Sequence, residues 1–95
     1  MTQVRSVELT VNGKPVTVGE EFDITFQRSY KGDKLYLLAR SDSGIIIMPE
    51  NGSPIFAAAR TVNIIDARVR LLKLVWTERG TCYAVVRPLD WRGVF

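Results

Sequence analysis

Turn-forming residues interrupt this chain about every eight to twelve positions, and the stretches between them repeatedly alternate apolar with polar side chains. Such a rhythm leaves little room for long helices and dictates a body built from strands. Val7, Leu9 and Val11 alternate with Glu8 and Thr10, as a half-buried strand requires. Asn12-Gly13 follows, two residues that tolerate positive φ and favour a tight hairpin, and Pro15-Val16-Thr17-Val18 returns as the partner strand. Phe22, Ile24 and Phe26 alternate with Asp23 and Thr25 to make the third.

Beyond it, Arg28-Ser29-Tyr30-Lys31-Gly32-Asp33-Lys34 reads as a loop, and residues 35–40 as a strand apolar enough to be covered on both faces. Ser41-Asp42-Ser43-Gly44 marks a turn, Ile45-Ile46-Ile47-Met48 a buried strand stopped by Pro49, and residues 49–54 a loop. Residues 53–66 are ambiguous. Ser53 and Pro54 could open a helix, but Thr61, Val62, Ile64 and Ile65 are β-branched and lose rotamer freedom there. One or two helical turns over 54–60 are expected, then extended chain.

Residues 69–77 and 81–89 flank Glu78-Arg79-Gly80, a three-residue hairpin loop. Strict alternation would put Val69 and Leu71 on one face and Leu74 and Trp76 on the other. A bulge near Leu71-Leu72 would turn all four inward and leave Arg68, Arg70 and Lys73 outward together. A long helix with Val62, Ile65, Val69, Leu72 and Trp76 in one seam is the competing reading. The favoured architecture is a single, mainly β domain over residues 1–95. Its six to eight short antiparallel strands form a small barrel of the SH3 or OB kind, or a compact sandwich, because their edges need closure or stacking. Trp76 and Phe26 are expected among its large buried side chains.

Composition removes whole classes of chemistry. The 95 residues contain no histidine and one cysteine, Cys82. A Ser-His-Asp or Cys-His site is therefore impossible, as are a His-ligated metal, an internal disulfide and a Cys-based cluster from one chain. Cys82 opens the apolar run Cys82-Tyr83-Ala84-Val85-Val86 and reads as a small core residue. Phosphate-binding glycine loops, nucleophile elbows and calcium loops are missing. The one adjacent acid pair, Glu20-Glu21, would point to opposite faces of an extended segment. No catalytic residue, metal site or cofactor is expected. With no signal peptide and no apolar run near the ~20 residues a membrane span needs, a cytoplasmic protein without membrane partners is the default.

Three places could bind. Residues 1–47 carry six bases and six acids, whereas residues 48–95 carry seven bases and four acids, which accounts for the net +3. Six of those seven bases are arginine, well shaped for phosphate or carboxylate. In the 28–34 loop, Arg28, Lys31 and Lys34 surround Tyr30, a pattern suited to phosphate contacts and base stacking. The Arg68, Arg70 and Lys73 row, joined by Arg79 and Arg87, would guide a polyanion, unless Asp66 and Glu78 neutralise it. The tail Leu89-Asp90-Trp91-Arg92-Gly93-Val94-Phe95 is unusually apolar. It either folds back onto its own barrel or docks on another chain.

The leading expectation is a non-enzymatic binding or assembly module that contacts a protein partner or itself. Trp91, Val94 and Phe95 would anchor that contact, with Arg87 and Arg92 at its rim. The alternative is a nucleic-acid-binding barrel using Arg28, Tyr30, Lys31, Lys34, Arg68, Arg70 and Lys73. A third, minor reading is a viral or mobile-element inhibitor of a host protein.

Overall fold

The computed structural model describes residues 9–94. The expected roles of Val7 and Phe95 lie outside them. Seven strands and one helical turn follow in the order β1 (Leu9–Val11), β2 (Lys14–Val16), β3 (Glu21–Lys31), β4 (Lys34–Arg40), β5 (Ile46–Pro49), α1 (Ile55–Ala58), β6 (Ile64–Trp76) and β7 (Cys82–Val94). Strands β3-β4-β5-β7-β6 close into a barrel, and β1-β2 form a separate hairpin. The mainly β reading stands, and the long helix through residues 62–76 is overturned: thirteen residues there form β6. β-branched side chains at 62, 64, 65, 69 and 75 fit a pleated sheet better than a helix.

Two details depart from a uniformly short, antiparallel body. β3, β6 and β7 run for 11, 13 and 13 residues, and β5 pairs with β7 in parallel. The parallel pair arises because the chain leaves β5 through α1, crosses the barrel end to β6, and returns as β7 between them. Register then places the two long hairpins at opposite ends. β3 meets β6 antiparallel from Glu21↔Arg70 to Gln27↔Ile64. The β3–β4 turn therefore lies near the start of β6 and the β6–β7 turn near the start of β3.

One contiguous core fills the barrel. Phe22, Phe26, Leu37, Ala39, Ile47, Ile65, Ala67, Val69, Leu71, Ala84 and Val86 point inward by strict alternation on their strands. The β1–β2 hairpin adds Leu9, Val11 and Val16. Asn12 (φ 53°) and Gly13 (φ 78°) supply its left-handed turn. Two hydrogen bonds reinforce this apolar attachment: Asp42 N donates to Thr10 O at 2.8 Å, and Gly13 N to Asp42 Oδ2 at 2.7 Å. At the other end α1 buries Ile55, with Ala59 behind it.

The bulge expected near Leu71-Leu72 is present. The β6–β7 register shifts between Leu71 and Lys73, and Arg68, Arg70 and Lys73 all face outward. Val69 and Leu71 are buried, but Leu74 is half-buried and Trp76 is 43% exposed. The expectation of a buried Trp76 fails because Trp76 pairs with Cys82 at the turn end of the β6–β7 ribbon, beyond the residues of β7 that β5 accompanies. Cys82 sits at the base of that ribbon, half-buried against the core. Burial pushes its thiol pKa up, which disfavours the reactive thiolate. No helix among the described residues is long and apolar enough to cross a membrane.

Candidate functional site

The expected binding loop at 28–34 is mostly strand. β3 continues through Lys31, and only Gly32 and Asp33 turn. Paired residues share a face, so Ser29↔Tyr36 and Lys31↔Lys34 lie on one side of this ribbon and Tyr30↔Leu35 on the other. The ribbon thus separates residues that the sequence groups together. Arg28 has a structural task. Its guanidinium donates to Ala59 O at 3.1 Å, to Arg60 O at 3.3 Å and to Asn63 Oδ1. These bonds fasten the segment after α1 to β3. Its charge also lies 5.4 Å from the Tyr30 ring centre, and Tyr30 itself is 55% exposed.

Arg68 and Arg70 of the basic row on β6 are neutralised, though by other acids than expected. Arg70 reaches Glu21 at 2.7 Å, and Arg68 lies 3.6 Å from Glu21 and 3.2 Å from Asp23. These acids belong to β3, which pairs with β6 in register. Asp66 instead accepts a hydrogen bond from Thr25 at 2.7 Å. Arg87 is held by Glu50 at 2.7 Å. The Glu20-Glu21 pair divides as its alternation implies. Glu20 accepts from Thr17 at 2.5 and 3.0 Å, while Glu21 serves the arginines.

The hydrogen bond from Arg70 holds the Glu21 carboxyl below its ordinary pKa of 4.5, and Arg87 does the same for Glu50. A carboxyl with a lowered folded pKa stabilises fully above its unfolded value and loses that contribution as pH falls through the folded value. Glu21→Gln is therefore expected to flatten the acid limb of stability. In thermal melts below about pH 4.5, the parent should lose more of its neutral-pH stability than the variant.

A different surface gathers four cations that stand in no ion pair among the described residues. On β4 the inward residues are Leu37 and Ala39, so Lys34, Tyr36, Leu38 and Arg40 face out. On β5 Ile46 and Met48 face out, and on β7 Tyr83, Val85 and Arg87 do. Register aligns Arg40, Ile46, Tyr83 and Val75 in one row across four strands, with Met48, Val85 and Lys73 in the next. At about 4.8 Å per strand the first row spans about 14 Å. Tyr36, Leu38, Ile46, Met48, Tyr83 and Val85 are all half-buried. Strands 35–40 and 45–48, expected to be covered on both faces, are covered on one.

Around this apolar centre stand Lys31, Lys34, Arg40 and Lys73, none in an ion pair among the described residues. Lys34 Nζ lies 5.5 Å from the Tyr36 ring centre. Glu50, the acid beside the face, is already engaged by Arg87, while Asp33 and Glu78 sit in the two hairpin turns. A groove of about 550 Å³ between β3 and β4, lined by Gln27, Ser29, Leu38, Arg40 and Ile46 among others, adjoins it. Lys31, Lys34 and Lys73 come from the sequence-derived candidates, whereas Tyr36, Arg40 and Tyr83 do not.

At the C-terminal end Trp91 packs half-buried against its own core, opposite Ala67 on β6. Leu89 and Val94 are 40% and 37% exposed, and Arg92 faces solvent. A cavity of about 760 Å³ is lined by Ile24, Arg40, Asp42, Asp90, Trp91 and Arg92 among others. Among the described residues no three acidic or cysteine side chains come close enough to hold a metal ion. Comparison with family models, curated proteins and solved structures finds no match to this chain.

Proposed function

We propose that this protein is a non-catalytic barrel that binds single-stranded nucleic acid on the outer face of β4, β5 and β7. The observation that carries the reading is the composition of that face. Two tyrosines and four aliphatic or thioether side chains stand half-exposed, four cations outside any ion pair among the described residues surround them, and Glu50 beside the face is already paired with Arg87. Half-exposed rings can stack on bases of any sequence, worth about 1–3 kcal/mol each, while lysine and arginine contact phosphates.

Barrel type supports the same reading by analogy. Five-stranded Greek-key barrels of the OB kind bind oligonucleotides on the face of their second and third strands. Here those strands are β4 and β5, and β5 pairs in parallel with the last strand. Arg68 and Arg70 drop out of the binding surface because their charges are spent on Glu21 and Asp23.

Fluorescence anisotropy with a labelled oligothymidylate, at low and at physiological salt, tests the proposal. Affinity is expected to fall steeply as salt rises. Tyr36→Ala and Tyr83→Ala should each weaken binding by about 5-fold to 150-fold. Arg40→Ala should weaken it and reduce the salt slope by about one. Arg68→Ala should leave it unchanged. Absence of binding at low salt, or binding indifferent to Tyr83→Ala and Arg40→Ala, rejects the reading.

A further inference from the structure

We infer that the exposed edge of β7 pairs antiparallel with the same edge of a second copy of this chain, about a two-fold axis at Trp91. This surface is distinct from the tyrosine face. β5 accompanies β7 only along residues 83–86, and the bond from Glu50 N to Val86 O at 2.9 Å is the last from that side. Beyond residue 86 the strand is paired with β6 alone among the described residues; the register skips Leu89, and 90–94 is the regular run. Among the described residues no strand meets the other edge of this run, whose backbone groups offer a template for a further strand.

The side chains of this edge say which strand fits. Asp90 and Arg92 both project to the exposed face, opposite Arg68 and Asp66 of β6. Neither forms an ion pair in its own chain among the described residues. Their neighbours across the sheet are occupied, Arg68 by Glu21 and Asp23 and Asp66 by Thr25. Two identical antiparallel strands about an axis normal to the sheet can oppose only residues of the same face. Three neighbouring registers, centred on residues 90, 91 and 92, differ in the charges they oppose. An axis at Asp90 sets aspartate against aspartate, and an axis at Arg92 sets arginine against arginine. The axis at Trp91 sets Asp90 of each copy opposite Arg92 of the other, giving two reciprocal ion pairs. Like charges directly opposite destabilise a strand pair and unlike charges stabilise it, so one register is selected and its neighbours are opposed. An isologous contact of this kind closes as a dimer and does not propagate.

Sedimentation velocity over a concentration series tests the pairing on the full chain, with circular dichroism confirming that each variant is folded. The parent is expected to show a monomer–dimer equilibrium. Asp90→Arg and Arg92→Asp should each raise the dimer dissociation constant about tenfold or more, because each sets like charges opposite. The double variant D90R/R92D restores opposite charges in the same register and should recover the dimer. A parent that stays monomeric throughout, single reversals that leave the dimer intact, or a folded double variant that does not recover it would overturn the inference. Oligothymidylate binding by Asp90→Arg should persist, which separates failure of the edge pairing from failure of the tyrosine face.

Discussion

Phe26→Ala is expected to lower the free energy of unfolding by about 3–5 kcal/mol, measured by denaturant titration with an unchanged m-value. Phe26 is fully buried on β3, opposite Ile65 on β6. It is the largest side chain in the barrel interior with no exposure. Its truncation removes the transfer free energy of a ring and leaves a void that a closed barrel cannot easily collapse, since β3 is paired to β6 in unbroken register from Glu21 to Gln27. The expected loss is a large share of the ~5–15 kcal/mol typical of a domain. Trp76→Ala offers the contrast. That ring is 43% exposed on a ribbon beyond the barrel, so its removal opens no interior cavity and should cost less. Equal losses at the two positions would contradict the packing described for β6, and a loss below about 1 kcal/mol at Phe26 would contradict the closed core.

Much of this fold is local in origin and therefore legible in the sequence. Asn12-Gly13 and Glu78-Arg79-Gly80 specify turns through their own backbone preferences, and Phe22, Ile24 and Phe26 declare an inward face by alternation alone. The bulge between Leu71 and Lys73 is legible for the same reason, because a strict period would strand apolar residues on the wrong side. What escapes a reading along the chain depends on residues distant in sequence. The partners of Arg68 and Arg70 are on β3, more than forty positions away, so nearby Asp66 and Glu78 were the natural but wrong candidates. Arg28 belongs beside Tyr30 in sequence, yet the bonds to Ala59, Arg60 and Asn63 make it a fastener.

The tyrosine face was hidden by an inference that is usually sound. A strand apolar at both parities is normally buried on both sides, and residues 35–40 and 45–48 have that pattern. Burial on both sides requires a second layer, however, and a 95-residue chain with one four-residue helix has little from which to build one. The surplus apolar side chains at Tyr36, Leu38, Ile46 and Met48 are thus left on the outside. Unoccupied apolar surface beside unengaged lysine and arginine is a stronger pointer to a ligand than the charge row alone. It could have been found by asking what remains to cover each two-sided strand.

A chain stopped after Leu89 is expected to lose cooperative unfolding, or to keep it with a stability lower by at least about 3–5 kcal/mol. Residues 90–94 form the end of β7 and pair with β6 from Arg68↔Asp90 to Ile64↔Val94. The deletion therefore removes Trp91 from the core it packs against and opens the edge of β6 over the same five positions. Exposed backbone and a lost aromatic act together, so the deletion should cost more than any substitution at Trp91. Trp91→Phe retains most of the packing volume and the whole ladder, and should cost less than about 1.5 kcal/mol. Near-ultraviolet circular dichroism and a urea titration distinguish these outcomes. A truncated chain as stable as the parent would mean that residues 90–94 contribute nothing to the barrel and are free to dock elsewhere as a tail. Loss of self-association on truncation would carry no weight by itself, because unfolding β7 abolishes the edge along with the strand. The charge exchange between Asp90 and Arg92 avoids that ambiguity: it leaves Trp91 and the β6–β7 ladder in place while altering what one copy presents to another.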